Sequence, residues 1–313
     1  MRCDDDEGGM AVRFSRRAFV AGTAALAGVP AWAIAAGTDA KALLGADALS
    51  AWWALDLGSG RTMGDNPDLQ LPMCSSFKWL LASMVLSRVD RGMERLDRQI
   101  QFGTKDLVFN SPTVEAALKR AGGSHASLTM RDLCEATVTL SDSAAANLLL
   151  PTVNGPIGLT AWLRGIGDPV TRLDRYELDL NRVAPGDVRD TTTPKAAVGN
   201  LRYLLYGQGL KPASKALMLG WLKSAKPGAT RMPAGLRPDW RIGHKTGTWM
   251  VDAGHKPTER AASADVAVLL PTRGSPVLLA AFTAGSEQPQ AQVDRWFAGL
   301  VTMATSSEWL RRS

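Results

Sequence analysis

The chain has 313 residues, 45% of them hydrophobic and 21% charged, with a formal net charge of +6. That length carries one or two domains with enough core to fold without staples, and the balance excludes wholesale disorder. His125, His244 and His255 stand far apart, no His/Cys cluster has zinc spacing, and no glycine loop with its phosphate-binding lysine occurs. These absences argue against a metallohydrolase or a P-loop enzyme.

Residues 1–36 read as an export signal. Arg13, Arg16 and Arg17 precede the uncharged stretch 18–38, and small residues surround Ala33 and Ala36, the two candidate cleavage points. Met10 is an alternative start to Met1, because the acids at 4–7 interrupt a basic leader. Ser15-Arg16-Arg17-Ala18-Phe19-Val20 resembles a twin-arginine signal, which makes the twin-arginine export machinery a partner and the periplasm or the exterior the destination. Being rich in Ala and Gly and broken by Pro30, the stretch is a poor membrane anchor.

Residues 50–57, a Gly58-Ser59-Gly60 turn and 61–63 predict a β-hairpin. Helical stretches follow at 75–89, 130–140, 143–150, 194–206 and 212–222, with Thr193 and Pro194 as an N-cap and first-turn pair. The tract 168–193 has neither period, and its alternating Arg and Asp predict a long ion-paired loop of the kind that is usually functional. Strands at 240–250, 265–270 and 277–284 predict an antiparallel meander, and 290–311 has helical spacing through Val293, Phe297, Leu300, Val301 and Trp309. The expected class is α+β: a sheet lobe from 37–65 and 225–313, with a helical lobe, 66–224, inserted between its parts.

From Leu71 to Leu86 the only charged residue is Lys78, so the helix is expected to be buried and its lone ammonium costly. Ser75, three residues earlier, shares its face. The helix N-terminus and burial both favour a neutral amine, which would place a base beside a nucleophile. Taken alone, Ser-x-x-Lys is equally an N-cap serine beside a snorkelling lysine. Ser141-Asp142-Ser143, ahead of Asn147, is by itself a helix cap, and Lys245-Thr246-Gly247-Thr248 is by itself a strand with an edge lysine. In this order the three groups approach the Ser-x-x-Lys, Ser-Asp-Asn, Lys-Thr-Gly signature of class A β-lactamases and penicillin-binding proteins.

With Val170-Thr-Arg-Leu-Asp-Arg-Tyr-Glu-Leu-Asp-Leu-Asn181 and Arg189-Asp190-Thr-Thr-Thr-Pro194, which look like an Ω-loop, the chain resembles a class A serine β-lactamase along nearly all of 37–313. The resemblance implies a five-stranded antiparallel sheet flanked by N- and C-terminal helices, with the active site between sheet and helical lobe. It implies hydrolysis of a β-lactam amide, and hence antibiotic resistance, with no cofactor, no metal, no nucleic-acid partner and a monomeric chain. Ser75 would be the acylated nucleophile, and its N–H with that of Thr248 the oxyanion hole. Lys78 and Glu177 are both candidates for the acylation base, and Glu177 with Asn181 would activate the deacylating water. Ser141 would pass a proton to the leaving nitrogen, within reach of Lys245. Ser143, Lys245, Thr246, Thr248 and Arg231 would contact substrate, the last in competition with a solvated loop arginine. Asn147 would brace the loop carrying Glu177, and Arg175 with Asp190 would clamp its neck.

The pattern breaks in several places. Ser143 stands where the family usually has Asn, Leu178 where Pro is frequent, Asn110 where an aromatic gatekeeper is common, and Trp249 where Gly or Cys is usual. The peptide bond before Leu178 is open to either isomer. Trp249 and Ala82 leave Cys74 and Cys134 without the partners some relatives give them, so both are expected free and buried. His244 is expected to be structural, with tuning of Lys245 as the alternative. Residues 250–260 make a long connection. Two other functions share the serine and lysine: a D,D-peptidase or transpeptidase, which lacks the deacylating carboxylate, and a β-lactam-sensing domain, which requires a membrane-spanning transducer.

Overall fold

Both ends of the chain contribute strands to one antiparallel sheet in this computed structural model, which describes residues 39–182, 184–250 and 260–311. The export signal, its cleavage points, the start at Met10 and most of the connection 250–260 lie outside the described residues. The sheet holds β1 (Leu49–Asp56), β2 (Thr62–Asp65), β7 (Trp240–Trp249), β8 (Ala262–Pro271) and β9 (Val277–Ala284), in the order β2-β1-β9-β8-β7. The β1–β2 turn is fastened by Asp56, which accepts from Gly58 N at 3.0 Å and from Ser59 Oγ at 2.6 Å.

Alternation along β8 and β9 sends Ala264, Val266, Val268, Leu278, Ala280 and Phe282 into a large core with the helices. The opposite face carries Ala267, Leu269, Leu279 and Ala281 into a second core. That core is completed by Leu44 of α1 (Ala40–Leu44) and by Trp296, Phe297 and Leu300 of α9 (Gln290–Ala304). Because both faces are covered, these strands read as nearly continuous apolar runs. β8 starts three residues before its predicted position because Ser263, polar in sequence, is buried in it between Ala262 and Ala264.

Between β2 and β7 the chain is mostly helical: α2 (Lys78–Asp90), α3 (Pro112–Arg120), α4 (Met130–Thr139), α5 (Ser143–Leu149), α6 (Gly155–Gly165), α7 (Pro194–Leu201) and α8 (Pro212–Lys223). α2 is buried from Lys78 through Ser87, as its apolar density demands. It begins later than expected, because Cys74–Phe77 forms a 3-10 turn ahead of it. α7 ends at Leu201 in a π turn, Arg202–Tyr206, and the expected 290–311 helix splits at Thr305 into α9 and α10 (Ser307–Arg311).

Two helices and two strand pairs were not anticipated. α3 buries only Val114, Ala117 and Leu118, a stripe too short to stand out, and α6 opens on Gly155-Pro156, which reads as a turn. β4 (Gln99–Gly103) pairs with β5 (His125–Thr129), and β3 (Leu71–Pro72) pairs with β6 (Thr191–Thr192). Among the described residues no helix is long and apolar enough to cross a membrane.

Candidate active site

The turn that carries Ser75, Cys74–Phe77, hangs between the sheet and the loop 168–193. β3 leads into it and is paired with β6 at the end of that loop, and Met73 N donates to Asp190 O at 3.0 Å. Cys74 has φ 44°, a left-handed conformation uncommon outside glycine and asparagine, and is fully buried. Burial, followed by the nearby Glu177 charge, pushes its thiol up to about 12, so it is an inert neighbour of Ser75. On the other side β7 presses close. A Cβ on Gly247 would run into the Met73 carbonyl and come within 2.9 Å of Ser76 N, so only glycine lets the strand approach the turn.

Ser75 and Lys78 converge on one atom. Ser75 Oγ donates to Glu177 Oε1 at 3.1 Å, and Lys78 Nζ lies 2.8 Å from the same oxygen. Lys78 Nζ also donates to Ser141 O at 2.8 Å and Ser143 Oγ at 3.1 Å. Lys78 is therefore not alone in its buried surroundings: it meets a carboxylate, a carbonyl and a hydroxyl. Sequence could not supply the partner, which comes from 99 residues further along the chain.

Glu177 is held on every side. Asn147 Nδ2 donates to its carbonyl at 2.8 Å, and its own N–H donates to Asn147 Oδ1 at 3.0 Å. Asn181 Nδ2 donates to Oε2 at 2.7 Å, from a 3-10 turn at Asp179–Asn181. The bond between Glu177 and Leu178 is cis. Burial pushes the carboxyl upward, but the Lys78 charge and the hydrogen bonds from Lys78, Asn181 and Ser75 outweigh it and leave it below the usual 4.5. Asp190 closes the loop neck: it accepts from Arg175 Nε at 2.6 Å and from the N–H groups of Asp174 and Arg175 at 2.7 and 3.0 Å.

Ser141 stands between the two lysines, its carbonyl on Lys78 and its hydroxyl 2.9 Å from Lys245 Nζ, which also donates to Thr246 O at 2.7 Å. Burial and then the Lys78 charge hold the Lys245 ammonium well below 10.5, with Asp265 and Glu177 pulling the other way. His244, beside it in sequence, pairs through Nδ1 with buried Asp265 at 2.9 Å, a fixed structural contact.

Ser143 points to Lys78, whereas Asn110, with φ 61°, donates through Nδ2 to Ser141 O at 2.8 Å. Arg231 is buried and bonded to Thr248 Oγ1 at 2.7 Å, which overturns the solvated-loop alternative. Cys74 and Cys134 are both free and buried.

Asp142, a helix cap by its sequence, also anchors a second helix. Asp142 accepts from Ala145 N at 2.8 Å at the start of α5, and also from Thr113 N at 2.8 Å and Val114 N at 3.2 Å at the start of α3. It ties two helix N-termini together behind Ser141. An aspartate before an Ala-rich run signals the first of these contacts but not the second.

Fold and site together define an enzyme that works through a serine nucleophile. The chain matches the β-lactamase enzyme family over residues 38–304. It is 45% identical to a solved ancestral (GNCA) class A β-lactamase, covering 82% of this chain and 92% of that one, with a TM-score of 0.74. It is 41% identical to a variant of the class A β-lactamase of the last common ancestor of Gram-negative bacteria, covering 88% and 99%, with a TM-score of 0.78. With a β-lactamase from Xanthomonas campestris pv. campestris it shares 38% identity over 87% and 95%, with a TM-score of 0.77. The chain belongs to the β-lactamase family and is a class A serine β-lactamase, whose reaction is hydrolysis of the β-lactam amide.

Proposed function

We propose that Ser75 takes up the acyl group of a β-lactam antibiotic and that Glu177 directs the water that releases it. The observation that carries this is the single carboxylate oxygen, Glu177 Oε1, in hydrogen-bond reach of both Ser75 Oγ and Lys78 Nζ. Because the serine proton already points at Glu177 while Lys78 is occupied as a donor, the geometry favours Glu177 as the base for acylation too. Ser75 Oγ adds to the lactam carbonyl as its proton moves to Glu177. The C–N bond then breaks as the proton taken up by Glu177 passes by way of Lys78 and the Ser141 hydroxyl, 3.5 Å from Lys78 Nζ, to the leaving nitrogen, so that Glu177 is ionised again. The N–H groups of Ser75 and Thr248 hold the developing oxyanion, each worth about 3–4 kcal/mol. Water then attacks the ester. One of its protons goes to Glu177, the bond between the acyl carbon and Ser75 Oγ breaks, and Glu177 returns a proton to that oxygen; Asn181 Oδ1, buried and unpartnered among the described residues, supplies a second acceptor for the water.

Lys245 and Thr246 bind the substrate carboxylate, and the net charge of +6 draws anions toward the site. Asn147, Arg175 and Asp190 keep the Glu177 loop in place. The protein works as a monomer without metal or cofactor, its sheet lobe at 37–65 and 225–313 and its helical lobe at 66–224. Residues 1–36 export it to the periplasm through the twin-arginine pathway; the Arg16-Arg17 motif supports this, and replacing both arginines with lysine should leave the protein in the cytoplasm. The close Glu177–Ser75 contact argues against the D,D-peptidase and sensor readings, neither of which needs it.

Intact mass after mixing with a penicillin tests the cycle. Native protein should turn over without an adduct, Glu177→Ala should acylate more slowly, with Lys78 as the remaining base, and then trap a one-to-one acyl-enzyme, and Ser75→Ala should take up nothing. Unaltered turnover by Glu177→Ala would remove the deacylation role.

A further inference from the structure

Where the loop 168–193 leaves α6, a buried carboxylate stands at the wall of a cavity. Asp168 is 5% exposed and Asn200 of α7 is 4% exposed, and both line a cavity of about 370 Å3. Asp168 Oδ1 accepts from the N–H groups of Val170 at 2.8 Å and Thr171 at 2.9 Å, and Oδ2 accepts from Asn200 Nδ2 at 2.6 Å. Among the described residues no cation pairs with this carboxylate. Arg164 donates to the Asp168 carbonyl instead, at 2.6 Å, and Lys195 pairs with exposed Asp68 at 3.4 Å on the same cavity's rim. A carboxylate withdrawn from water without a counter-ion is unfavourable.

Asn200 makes a second, independent demand. Its carboxamide must turn the NH2 group toward the Asp168 carboxylate, because two acceptors cannot share a hydrogen bond. Its Oδ1 therefore faces the other way, where no donor reaches it among the described residues, and it is not sealed in the core but opens on the cavity. The wall thus offers two oxygen acceptors, one of them charged, with the Tyr203 ring and the apolar side chains of Ile166, Pro169 and Val170 around them. An ammonium group supplies both the missing charge and the N–H donors, an aromatic neighbour suits it, and an alkyl tail covers the apolar wall. A metal ion fits less well. It asks for about six or more oxygen ligands, and the described residues hold no group of His, Cys, Asp and Glu side chains placed for one.

We propose that this cavity binds a primary alkylammonium ion, its head on the Asp168 carboxylate and Asn200 Oδ1 and its chain along Ile166, Pro169 and Val170. The site lies at the root of the loop that carries Glu177. Arg164 Nη1 also donates to Thr171 O at 2.7 Å, and Thr171 Oγ1 lies 2.6 Å from Thr192 Oγ1 at the other end of that loop. An occupant that neutralises Asp168 therefore braces the carboxylate on which the Val170 and Thr171 N–H groups are hung. None of the proposed catalytic residues lines this cavity, so the two readings stand or fall separately.

The test titrates butylamine hydrochloride into the protein at neutral pH, with sodium chloride of equal ionic strength and the uncharged 1-butanol as controls. Native protein should bind butylamine saturably, with Tm raised by about 2–4 °C at about ten times Kd. Hydrogen exchange of the Val170 and Thr171 amides should slow at the same time. Butanol and sodium chloride should do neither. Gly199 lines the cavity on α7, a Cβ there meets nothing within 4 Å, and a helix interior favours leucine over glycine, so Gly199→Leu should fold and fill the site. It should weaken binding at least about tenfold, and Asp168→Asn should do the same by removing the charge. Absence of saturable binding, an equal response to butanol, or an unchanged Kd in Gly199→Leu would each overturn the site. Displacement of butylamine by calcium chloride, beyond that by sodium chloride at equal ionic strength, would overturn the ammonium in favour of a metal. Should Asp168→Asn fail to fold, Gly199→Leu decides alone.

Discussion

Asn147 and Glu177 are joined twice, by a carboxamide N–H to a backbone carbonyl and by a backbone N–H to the carboxamide oxygen. One side chain on α5 thus fixes both backbone groups of Glu177, 30 residues away. Asn147→Ala removes both bonds and leaves two backbone groups in need of water, at a cost of about 1–3 kcal/mol. The expected result is slowed deacylation, seen as an acyl-enzyme that accumulates under excess penicillin. Adduct formation itself should persist, since Ser75 and Lys78 do not touch Asn147 in the hydrogen-bond network.

The two ends of the pH profile should report two buried groups. Glu177 lies below 4.5, so its ionised form adds stability that is present above the unfolded value and lost as pH falls through the lower folded one. The acid limb of kcat/KM should therefore lie below 4.5. In Lys78→Met, burial acts without the cation, and a carbon-13 titration should find the Glu177 carboxyl above 4.5; a value still below it would deny Lys78 its part. Lys245 lies well below 10.5. As pH rises the cation is lost early, so KM for an anionic substrate should climb before pH 10.5.

Gly247→Ala should be among the most damaging single changes in the strand. The added methyl meets the Met73 carbonyl, Ser76 N and, at 3.0 Å, Cys74 Cβ, none of which is a flexible tip. Pushing β7 off the nucleophile turn separates Thr248 from Ser75 and costs about 1–3 kcal/mol of overpacking. A lower Tm together with a fall in acylation rate is the expected outcome, and native acylation would show that the strand can move freely.

Asp190→Asn tests the loop neck. The carboxylate is fully buried and Arg175 partly so, at 0% and 19% side-chain exposure, and breaking such a pair costs on the order of 3–5 kcal/mol. Residues 172–190 should become more sensitive to proteolysis, and turnover should fall more than acylation, because Glu177 lies within the loosened segment. Unchanged proteolysis would mean that the backbone bonds to Asp174 and Arg175 hold the neck alone.

The sequence by itself singled out the side chains proposed to carry the chemistry. Ser75 with Lys78, Ser141 with Asn147, and Lys245 with Thr246 and Thr248 lie at short spacings that one turn of helix or one strand preserves, and the Thr193–Pro194 cap is local in the same way. Tertiary structure alone decided what those side chains meet. Ser75 finds Glu177 across 102 positions and Lys245 finds Ser141 across 104, and no periodic pattern encodes contacts of that reach. The same limit hid the counter-ion of Lys78, the second helix held by Asp142 and the burial of Arg231. Charge and hydrogen-bond state are set by neighbours in space, whereas sequence patterns report neighbours along the chain.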